Sequence, residues 1–375
     1  MKLVYISRGV IKTRADVNPI GPEKKIQQQI TNLNKLGVQV SQIYPQTYTK
    51  NLLLDFILEK FITPIDYLIQ RKLYDKDTVV YIRREHHHLS YLPLLLSPRL
   101  YKVVIETQTI ERSEYRSTLS GPLTHILYSW YNYPNMLLFE KYIKSKADAI
   151  ISVTNEIDKY NRALTRNKLQ YLTLGNGIDT SQIKIRTFCE FPHQQLHMLF
   201  VGYVVPWHGI DRIILGMSKY NGSRDIYLHI VGEGLELQNL RKLVSTLHLE
   251  PRVIFHGFKS GTDLDAMFDQ CHIAIGGLAD FRRGLKEVSL LKNREYCARG
   301  IPFVLVAKDI DFPDEWAYTL HVPATEDPIN MERVITFVER VMKDPNHPQE
   351  MRKYAEQHLD WYPKMKILKE FLEKL

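Results

Sequence analysis

The feature of the sequence that most constrains its fold is a repeated alternation between short apolar runs and longer amphipathic stretches. Residues 2–7, 38–44 and 78–82 are rich in β-branched residues, and helical patterns separate them. Strands that are apolar at nearly every position are typical of a parallel sheet with helices on both faces, joined by right-handed crossovers. The alternation restarts at His197 after an irregular, polar stretch. The sequence therefore predicts two α/β domains, each doubly wound.

The chain length agrees with this interpretation, because 375 residues is about twice the commonest domain size. We assign residues 1–180 to a first domain, 181–196 to a linker and 197–345 to a second domain. Residues 346–375 are expected to form C-terminal helices that pack back on the first domain. Two such domains facing each other across a cleft would hold a ligand beyond the carboxyl ends of their strands.

Cysteine usage and hydropathy indicate the compartment. Cys189, Cys271 and Cys297 lie far apart and lack the spacing of a zinc site, which favours a reducing environment. The apolar N-terminus is too short for a signal peptide. The longest uncharged stretch, residues 117–139, is too polar and too often interrupted by Pro and Gly to span a bilayer. We expect a cytoplasmic protein without a transmembrane segment.

Charge is distributed unevenly along the chain. Residues 1–180 hold 25 Lys and Arg against 16 Asp and Glu, whereas the remainder holds 25 against 26. Such asymmetry predicts an anionic partner for the first half, although a merely solubilising surface stays open. Residues 52–74 mix aliphatic and basic side chains and suit the inner face of an anionic membrane, and a core helix explains their apolar positions equally well. No nucleic-acid recognition module is present, so we expect no nucleic-acid partner.

Two carboxylates eight residues apart, Glu287 and Glu295, stand in the segment EVSLLKNREYCARGIP. If this segment is a loop turning into a helix, Leu290 and Leu291 lie at the helix start, where free N–H groups favour an anion such as diphosphate. Lys292 adds a positive charge there. A carboxylate one turn deeper can accept hydrogen bonds from a ribose diol. The alternative is a pair of solvated surface glutamates.

Five ordered segments resemble a known family. They are ADAIISVTNEID with LGNGID, LFVGYVVPWHGIDRII, IVGEGLELQNLRKLV, VIFHGF, and EVSLLKNREYCARGIP. The last four resemble the nucleotide-sugar domain of retaining GT-B glycosyltransferases, of the group-four type used in bacterial cell-surface polysaccharide assembly, and the first resembles the end of that family's N-terminal domain. The resemblance implies a GT-B fold, in which two Rossmann-like domains face each other.

The resemblance also implies a role for each matching residue. Glu295 would bind the donor ribose, and Glu287 would contact the donor sugar and position it at the reacting carbon. The backbone at Leu290 and Leu291, together with Lys292, would hold the diphosphate. Further donor contacts are implied at the ends of the three preceding strands: Gly202, His208, Gly209, Gly232, Glu233, Phe258 and Lys259.

One departure concerns the charge at the diphosphate. Many relatives carry an Arg and a Lys in a G-R-x-x-x-x-K-G pattern, where this chain has Tyr203 and His208. His208 could donate one hydrogen bond, and Lys292 could supply charge, but stabilising a departing diphosphate normally takes more than one donor. Arg282 and Arg283 are candidate replacements.

Residues of the first domain are candidates for the acceptor side. The loop at Gly21 resembles the family's glycine-containing loop that approaches phosphate and acceptor. Arg83, His86 and Glu106 follow predicted strands, where loops contact ligands, although Glu106 reads equally well as an ordinary loop carboxylate. Three consecutive histidines at 86–88 point in different directions and rarely close on one metal ion. We expect no metal and no other cofactor.

The sequence thus predicts a retaining glycosyltransferase. It would move a sugar from a nucleoside-diphosphate sugar to a glycan or lipid-linked acceptor in surface polysaccharide synthesis. A sugar-nucleotide epimerase of the same fold is one alternative. A binding module that has lost catalysis is another, which the missing Arg and Lys favour.

Overall fold

The computed structural model describes residues 1–7, 21–43, 63–84, 91–96, 98–110, 113, 133–188, 190–191 and 194–375. They form two compact units, one of Met1–Gly175 with Trp361–Leu375 and one of Asn176–Asp360. These boundaries differ from those expected from sequence: residues 176–180 and the expected linker belong to the second unit, and the return to the first unit begins at Trp361, not at residue 346.

The first unit is built on a parallel sheet of six strands in the order β2-β1-β3-β4-β5-β6. The strands are β1 (Lys2–Ser7), β2 (Gln39–Ile43), β3 (Thr78–Arg84), β4 (Lys102–Thr107), β5 (Ala149–Ser152) and β6 (Gln170–Thr173). The described helices of this unit are α1 (Gly21–Lys35), α2 (Thr63–Gln70), α3 (Leu92–Leu95), α4 (Tyr133–Ser145), α5 (Asn155–Leu164) and, numbered last in the chain, α12 (Trp361–Leu372).

Both faces of this sheet are buried. Alternate residues of β1 enter different clusters, Leu3 and Tyr5 on the face covered by α1 and α12, Val4 and Ile6 on the other. The C-terminal helix α12 is anchored by Trp361, which is fully buried and whose Nε1 donates to Gln28 Oε1 at 2.8 Å. The last residues of the chain therefore complete the core of the first unit.

The second unit holds a six-stranded parallel sheet and a two-stranded one. The strands are β7 (Gln195–Val201), β8 (Asp225–Val231), β9 (Val253–Gly257), β10 (Ile273–Ile275), β11 (Glu287–Val288), β12 (Phe303–Leu305), β13 (Lys308–Asp309) and β14 (Thr319–His321). The helices are α6 (Ile210–Lys219), α7 (Leu237–Thr246), α8 (Gly261–Gln270), α9 (Leu291–Arg299), α10 (Met331–Met342) and α11 (His347–Tyr354).

The order of the larger sheet is β14-β12-β10-β7-β8-β9, and β11 pairs with β13. The chain runs outward from β7 to β9, then returns to β10 on the other side of β7 and runs outward again. The carboxyl ends of β7 and β10 are therefore the topological switch point of this unit, where open α/β sheets bind ligands. With two doubly wound α/β units, the predicted fold class is confirmed.

The predicted alternation of strands and helices is present in both units, and β1 occupies the predicted residues 2–7. The stretch 52–74, for which a core helix was one interpretation, is described only from Thr63, as α2 followed by a 3₁₀ turn, Arg71–Leu73. Helix α4 and the short strands β6, β11, β13 and β14 were not predicted. Within the described residues, no helix is both long and apolar enough to cross a membrane.

Candidate functional site

Two loops meet at the switch point of the second unit. The loop after β7 holds a 3₁₀ turn, Pro206–His208, and it is bonded to the loop after β10, because Leu278 and Ala279 donate backbone hydrogen bonds to the carbonyls of His208 and Trp207. Gly209 directly follows this turn and has φ of 66°, and a Cβ there would lie 2.8 Å from the carbonyl carbon of Leu278. Only glycine fits both this backbone conformation and the space.

Four ionisable side chains gather at this point: His208, Asp280, Arg283 and Lys292, which we call the switch-point cluster. Arg283 donates to Asp280 Oδ1 from Nε at 3.2 Å and from Nη2 at 2.7 Å. Three of the cluster's buried polar atoms have no hydrogen-bond partner: His208 Nδ1, Asp280 Oδ2 and Lys292 Nζ. Since buried polar groups are nearly always paired, these atoms indicate a place for a polar ligand.

Lys292 has a strongly perturbed environment. The residue is half-buried, but its Nζ is shielded from solvent and lies 4.0 Å from the centroid of the Phe200 ring. Burial lowers the pKa of Lys292 to about 7, with the charge of Arg283 acting in the same direction and Asp280 opposing. A Cβ at Gly202 would lie 3.5 Å from Nζ, so the glycine leaves room beside the amine.

Lys292 also stands in the first turn of α9, as the sequence predicted. Leu290 is the N-cap residue, in extended conformation, and contributes no side-chain cap. The first N–H groups of the helix, including those of Leu291 and Lys292, lack intrahelical acceptors. Together with the lysine amine they form a positive site that an anion could occupy.

The two carboxylates of the motif have different surroundings. Glu287 is half-buried on β11, paired in register with Lys308 of β13, and its charge contributes to a raised pKa of Lys308, behind the larger effect of Asp314. Glu295 lies in α9, where Oε1 accepts from Arg299 Nε at 2.9 Å, and its side chain keeps 26% of its surface exposed. Arg299 also donates to Asp265, so the Glu295 carboxylate is held from one side.

The strand ends beside the cluster are packed backbone against backbone. A Cβ at Gly232 would lie 2.0 Å from the carbonyl oxygen of Gly202, and the N–H of Gly232 donates to the carbonyl of Gly257. The side chain of Glu233 reaches this point, since its Oε1 would lie 3.5 Å from a Cβ at Gly257. Two of the expected donor contacts follow β9. Phe258 is exposed, and Lys259 Nζ lies 3.8 Å from Asp263 Oδ2.

The candidates of the first unit are distributed differently. Gly21 is the first residue of α1, not part of a loop, and His86 lies outside the described residues. Glu106 is 2% exposed and accepts from Lys25 Nζ at 2.7 Å. Burial alone would raise its pKa, but the charges of Lys25 and Arg83 hold the pKa below its ordinary value. Glu106 is thus an ionised, paired carboxylate, neither an ordinary loop residue nor accessible to an acceptor.

The structure separates the two arginines that sequence could not distinguish. Arg282 donates to Asp211, to Glu326 and to the carbonyl of Pro206, so its charge is already compensated. Arg283 belongs to the switch-point cluster. Sequence reasoning missed Asp280, although its spacing of three residues from Arg283 is a pattern typical of an ion pair within one turn. Tyr203, at the position of the expected arginine, is exposed.

The described residues contain no group of three or more His, Cys, Asp or Glu side chains arranged to hold a metal ion. The predictions for Glu287, Glu295 and the other donor contacts stay predictions, since geometry alone assigns no role to them.

Comparison with known proteins adds a family and a fold. Residues 181–358 match the family described as glycosyl transferases group 1. A search of curated proteins returned no match. Sucrose-phosphate synthase from Thermosynechococcus elongatus is similar in structure, with a TM-score of 0.72 at 15% identity over 100% of this chain and 98% of that one.

Two further solved structures are similar over the whole of both chains. HepE from Anabaena, in complex with UDP and glucose, gives a TM-score of 0.62 at 14% identity. The lipopolysaccharide outer core galactosyltransferase WaaB gives 0.59 at 13% identity. The likeness at these identities is one of fold, namely GT-B. With this fold and a glycosyl transferases group 1 domain in its second unit, the protein is a glycosyltransferase.

Proposed function

We propose that the protein is a retaining glycosyltransferase that uses a nucleoside-diphosphate sugar and extends a glycan or lipid-linked acceptor in surface polysaccharide synthesis. The observation that carries the proposal is the unpaired Lys292 amine at the N-terminus of α9, on the ligand-binding edge of the second unit. A diphosphate would satisfy both the ammonium group and the free backbone N–H groups. Glu295, one turn further along the helix, could then accept hydrogen bonds from the ribose diol.

A similar structure supports this choice of donor. HepE from Anabaena has been solved in complex with UDP-glucose and shares the fold over the whole of both chains. In our proposal the donor sugar lies beside Glu287. The acceptor then attacks the reacting carbon on the face from which the diphosphate leaves, so the configuration of this carbon is retained. Lys292 and the α9 N-terminus stabilise the charge of the departing diphosphate.

The first test is a thermal-shift panel with UDP, GDP, ADP, TDP and CMP on the wild type and on Glu295→Ala. A ligand that binds only the folded state raises its stability, so one nucleotide should raise the melting temperature of the wild type. The shift should be much smaller for Glu295→Ala, because charge-assisted hydrogen bonds contribute about 1.5–3 kcal/mol. Glu250→Ala removes an exposed carboxylate beyond the other end of the sheet and serves as control.

A second readout separates the alternatives. Free nucleotide released only when a glycan acceptor is added supports transfer. Two other results would favour the binding module or the epimerase. One is release of free nucleotide without any acceptor, and the other is binding of nucleotide with no release in the presence of any acceptor tested. Glu287→Gln should keep nucleotide binding and depress transfer, and full activity would remove this residue from the mechanism.

We also propose that the first unit meets the inner face of the membrane. Half of the large apolar side chains that are exposed in the described residues belong to an aliphatic patch on α2, the turn after it and the loop after α3: Ile65, Leu68, Ile69, Leu73, Leu96 and Leu100. Helices α2 and α3 contact each other, and Arg71, in the turn after α2, donates to the carbonyl of Pro93 in α3. Lys72 is exposed beside them. Aliphatic and basic side chains on one surface suit anionic lipid.

Liposome co-sedimentation tests this surface. Vesicles containing anionic lipid should bind the wild type more at low salt than at high salt, because surface charge is screened. Leu100→Glu should reduce the binding, whereas Leu235→Glu, on an equally exposed leucine of the second unit, should not. Equal binding of both variants, or no binding at low salt, would contradict the membrane proposal.

A further inference from the structure

We propose that Arg283, held in place by Asp280, is the second cation of the diphosphate site and takes over the task of the arginine that Tyr203 replaces. This inference rests on the proposed function, since it names the residues that receive the diphosphate of the donor. Arg283 would touch the diphosphate itself, and Asp280 is a positioning residue that acts through it.

The position of Arg283 is fixed from two sides. Two of its nitrogens donate to one carboxylate oxygen of Asp280, at 3.2 and 2.7 Å, and its guanidinium carbon lies 5.5 Å from the centroid of the Trp207 ring. Asp280 has 1% of its side-chain surface exposed and Arg283 has 11%. An arginine with so little freedom loses little entropy when an anion binds, and its planar group can contact phosphate through more than one N–H.

The positive charges around Arg283 exceed the negative charge that faces them. The positive charge of Arg283 lies near enough to Lys292 and His208 to depress the pKa of both side chains, in each case behind the larger effect of burial. Asp280 is the carboxylate that faces this pair of cations, and one of its oxygens is already occupied by Arg283. Like charges held together in a water-poor place are costly. A diphosphate would remove that repulsion and pair with both cations.

His208 is a poor substitute for the missing cation. Burial lowers its pKa well below the ordinary value, and the backbone carbonyl of Tyr203 accepts a hydrogen bond from its ring. The nitrogen left over is the unpaired Nδ1. In the neutral ring this atom carries a lone pair and no proton, so it accepts hydrogen bonds and cannot donate one to phosphate. The expected donation by His208 is therefore replaced by donation from Arg283.

Arg282 supplies a matched control. It is the neighbouring residue on the same turn, with the same side chain, but Asp211 and Glu326 accept from its guanidinium. Replacing it should disturb that local network and leave the diphosphate contact unchanged. The pair of variants Arg283→Gln and Arg282→Gln therefore separates anion binding from a structural contribution.

The experiment measures dissociation constants for UDP, GDP, ADP, TDP and CDP and for the five corresponding monophosphates. The wild type should bind one diphosphate more tightly than its monophosphate. Arg283→Gln should weaken the diphosphate by about ten- to a hundredfold and the monophosphate much less, as expected for loss of a charge-assisted contact. Arg282→Gln should keep the wild-type preference. Asp280→Asn should lose part of it, because the guanidinium is no longer held.

Arg283→Lys guards against a folding defect, since it keeps the positive charge and should keep part of the preference even if Arg283→Gln cannot be purified. If Arg283→Gln, or Arg283→Lys in its place, retains the full diphosphate preference of the wild type, the inference is wrong and the proposed function is unaffected. If the wild type binds none of the diphosphates, the proposed function fails, and the inference fails with it.

Discussion

The ammonium group of Lys292 is buried away from water and has no hydrogen-bond partner. Its pKa of about 7 compares with 10.5 for an exposed lysine, so at neutral pH the amine in the ligand-free protein is partly unprotonated. The unfolded chain keeps that proton up to a much higher pH. The cost of burying the amine is therefore complete below pH 7 and declines as the pH rises from 7 to 10.5, so this group makes the fold more stable with rising pH.

Ligand binding should show the opposite pH dependence. A diphosphate favours the protonated amine, so above pH 7 its binding must be accompanied by proton uptake, and the affinity should fall by up to about tenfold per pH unit. Asp280 and Arg283 are the other charged groups that act on the amine. His208, with its strongly lowered pKa, stays neutral.

Titration calorimetry in buffers of different ionisation enthalpy measures this proton uptake directly. Lys292→Met, of similar length, should bind diphosphate weakly and without the pH dependence. The same slope in wild type and variant would assign the proton to another group, and a flat profile in the wild type would remove Lys292 from the contact.

At the scale of the elements, strands that contain a run of apolar residues were predictable and the two-residue strands were not. Strand β1 has six residues, five of them buried, and matches its prediction residue for residue. Strands β11 and β13 have two residues each, too few for any periodicity, and they exist only because they pair with each other.

The same distinction explains how much of the candidate site could be predicted. Lys292 and the start of α9 are contiguous in sequence, so both were found. The switch-point cluster is not contiguous: it joins the loop after β7 to the loop after β10, and β8 and β9 come between these strands in the chain. The ion pair of Asp280 with Arg283, and the difference between Arg282 and Arg283, depend on that juxtaposition and on Asp211 and Glu326.

Gly234, in the loop after β8, should tolerate no side chain. A Cβ at Gly234 would lie 2.1 Å from the carbonyl oxygen of Val204, so Gly234→Ala must push the loops after β7 and β8 apart. We expect a loss of about 1–3 kcal/mol of stability, typical of overpacking, with weaker nucleotide binding.

Gly261→Ala is the control for this variant. Gly261 has φ of +57° and no atom within 4 Å of a Cβ, so the substitution costs only backbone strain, about 1–2 kcal/mol. Thermal melting and nucleotide titration should therefore show loss of both properties in Gly234→Ala and of stability alone in Gly261→Ala. Unchanged nucleotide affinity in Gly234→Ala would show that the loop positions do not matter for the ligand.

On the scale of the whole molecule, the second unit is an insertion between β6 and α12 of the first. Sequence patterning found the two α/β units and the return of the chain to the first. It did not find where the return begins, because residues 346–375 are helical almost throughout and only packing separates α11 from α12. Trp361 marks the change, with Leu368 and Leu372 following it into the core of the first unit.

Trp361→Ala should therefore destabilise the first unit selectively. Removal of a buried tryptophan typically costs about 3–5 kcal/mol, and here it also removes the hydrogen bond to Gln28. Hydrogen exchange should accelerate in β1 and α1 and stay unchanged in β7 and β8. Ile367→Ala, at an exposed position of the same helix, should change neither. Acceleration in both units would mean that they unfold together.

The insertion also determines the order in which the protein can be completed during its synthesis. The second unit is one uninterrupted segment, whereas the core of the first is completed only by Trp361–Leu375, which follow Gly175 after the 185 residues of the second unit. At the usual rate of translation this interval is roughly 10–40 s. During that time the position that Trp361 occupies in the hydrophobic core of the first unit is unfilled on the nascent chain. The first unit, although it is begun earlier, thus cannot complete its core until the second unit has been synthesised.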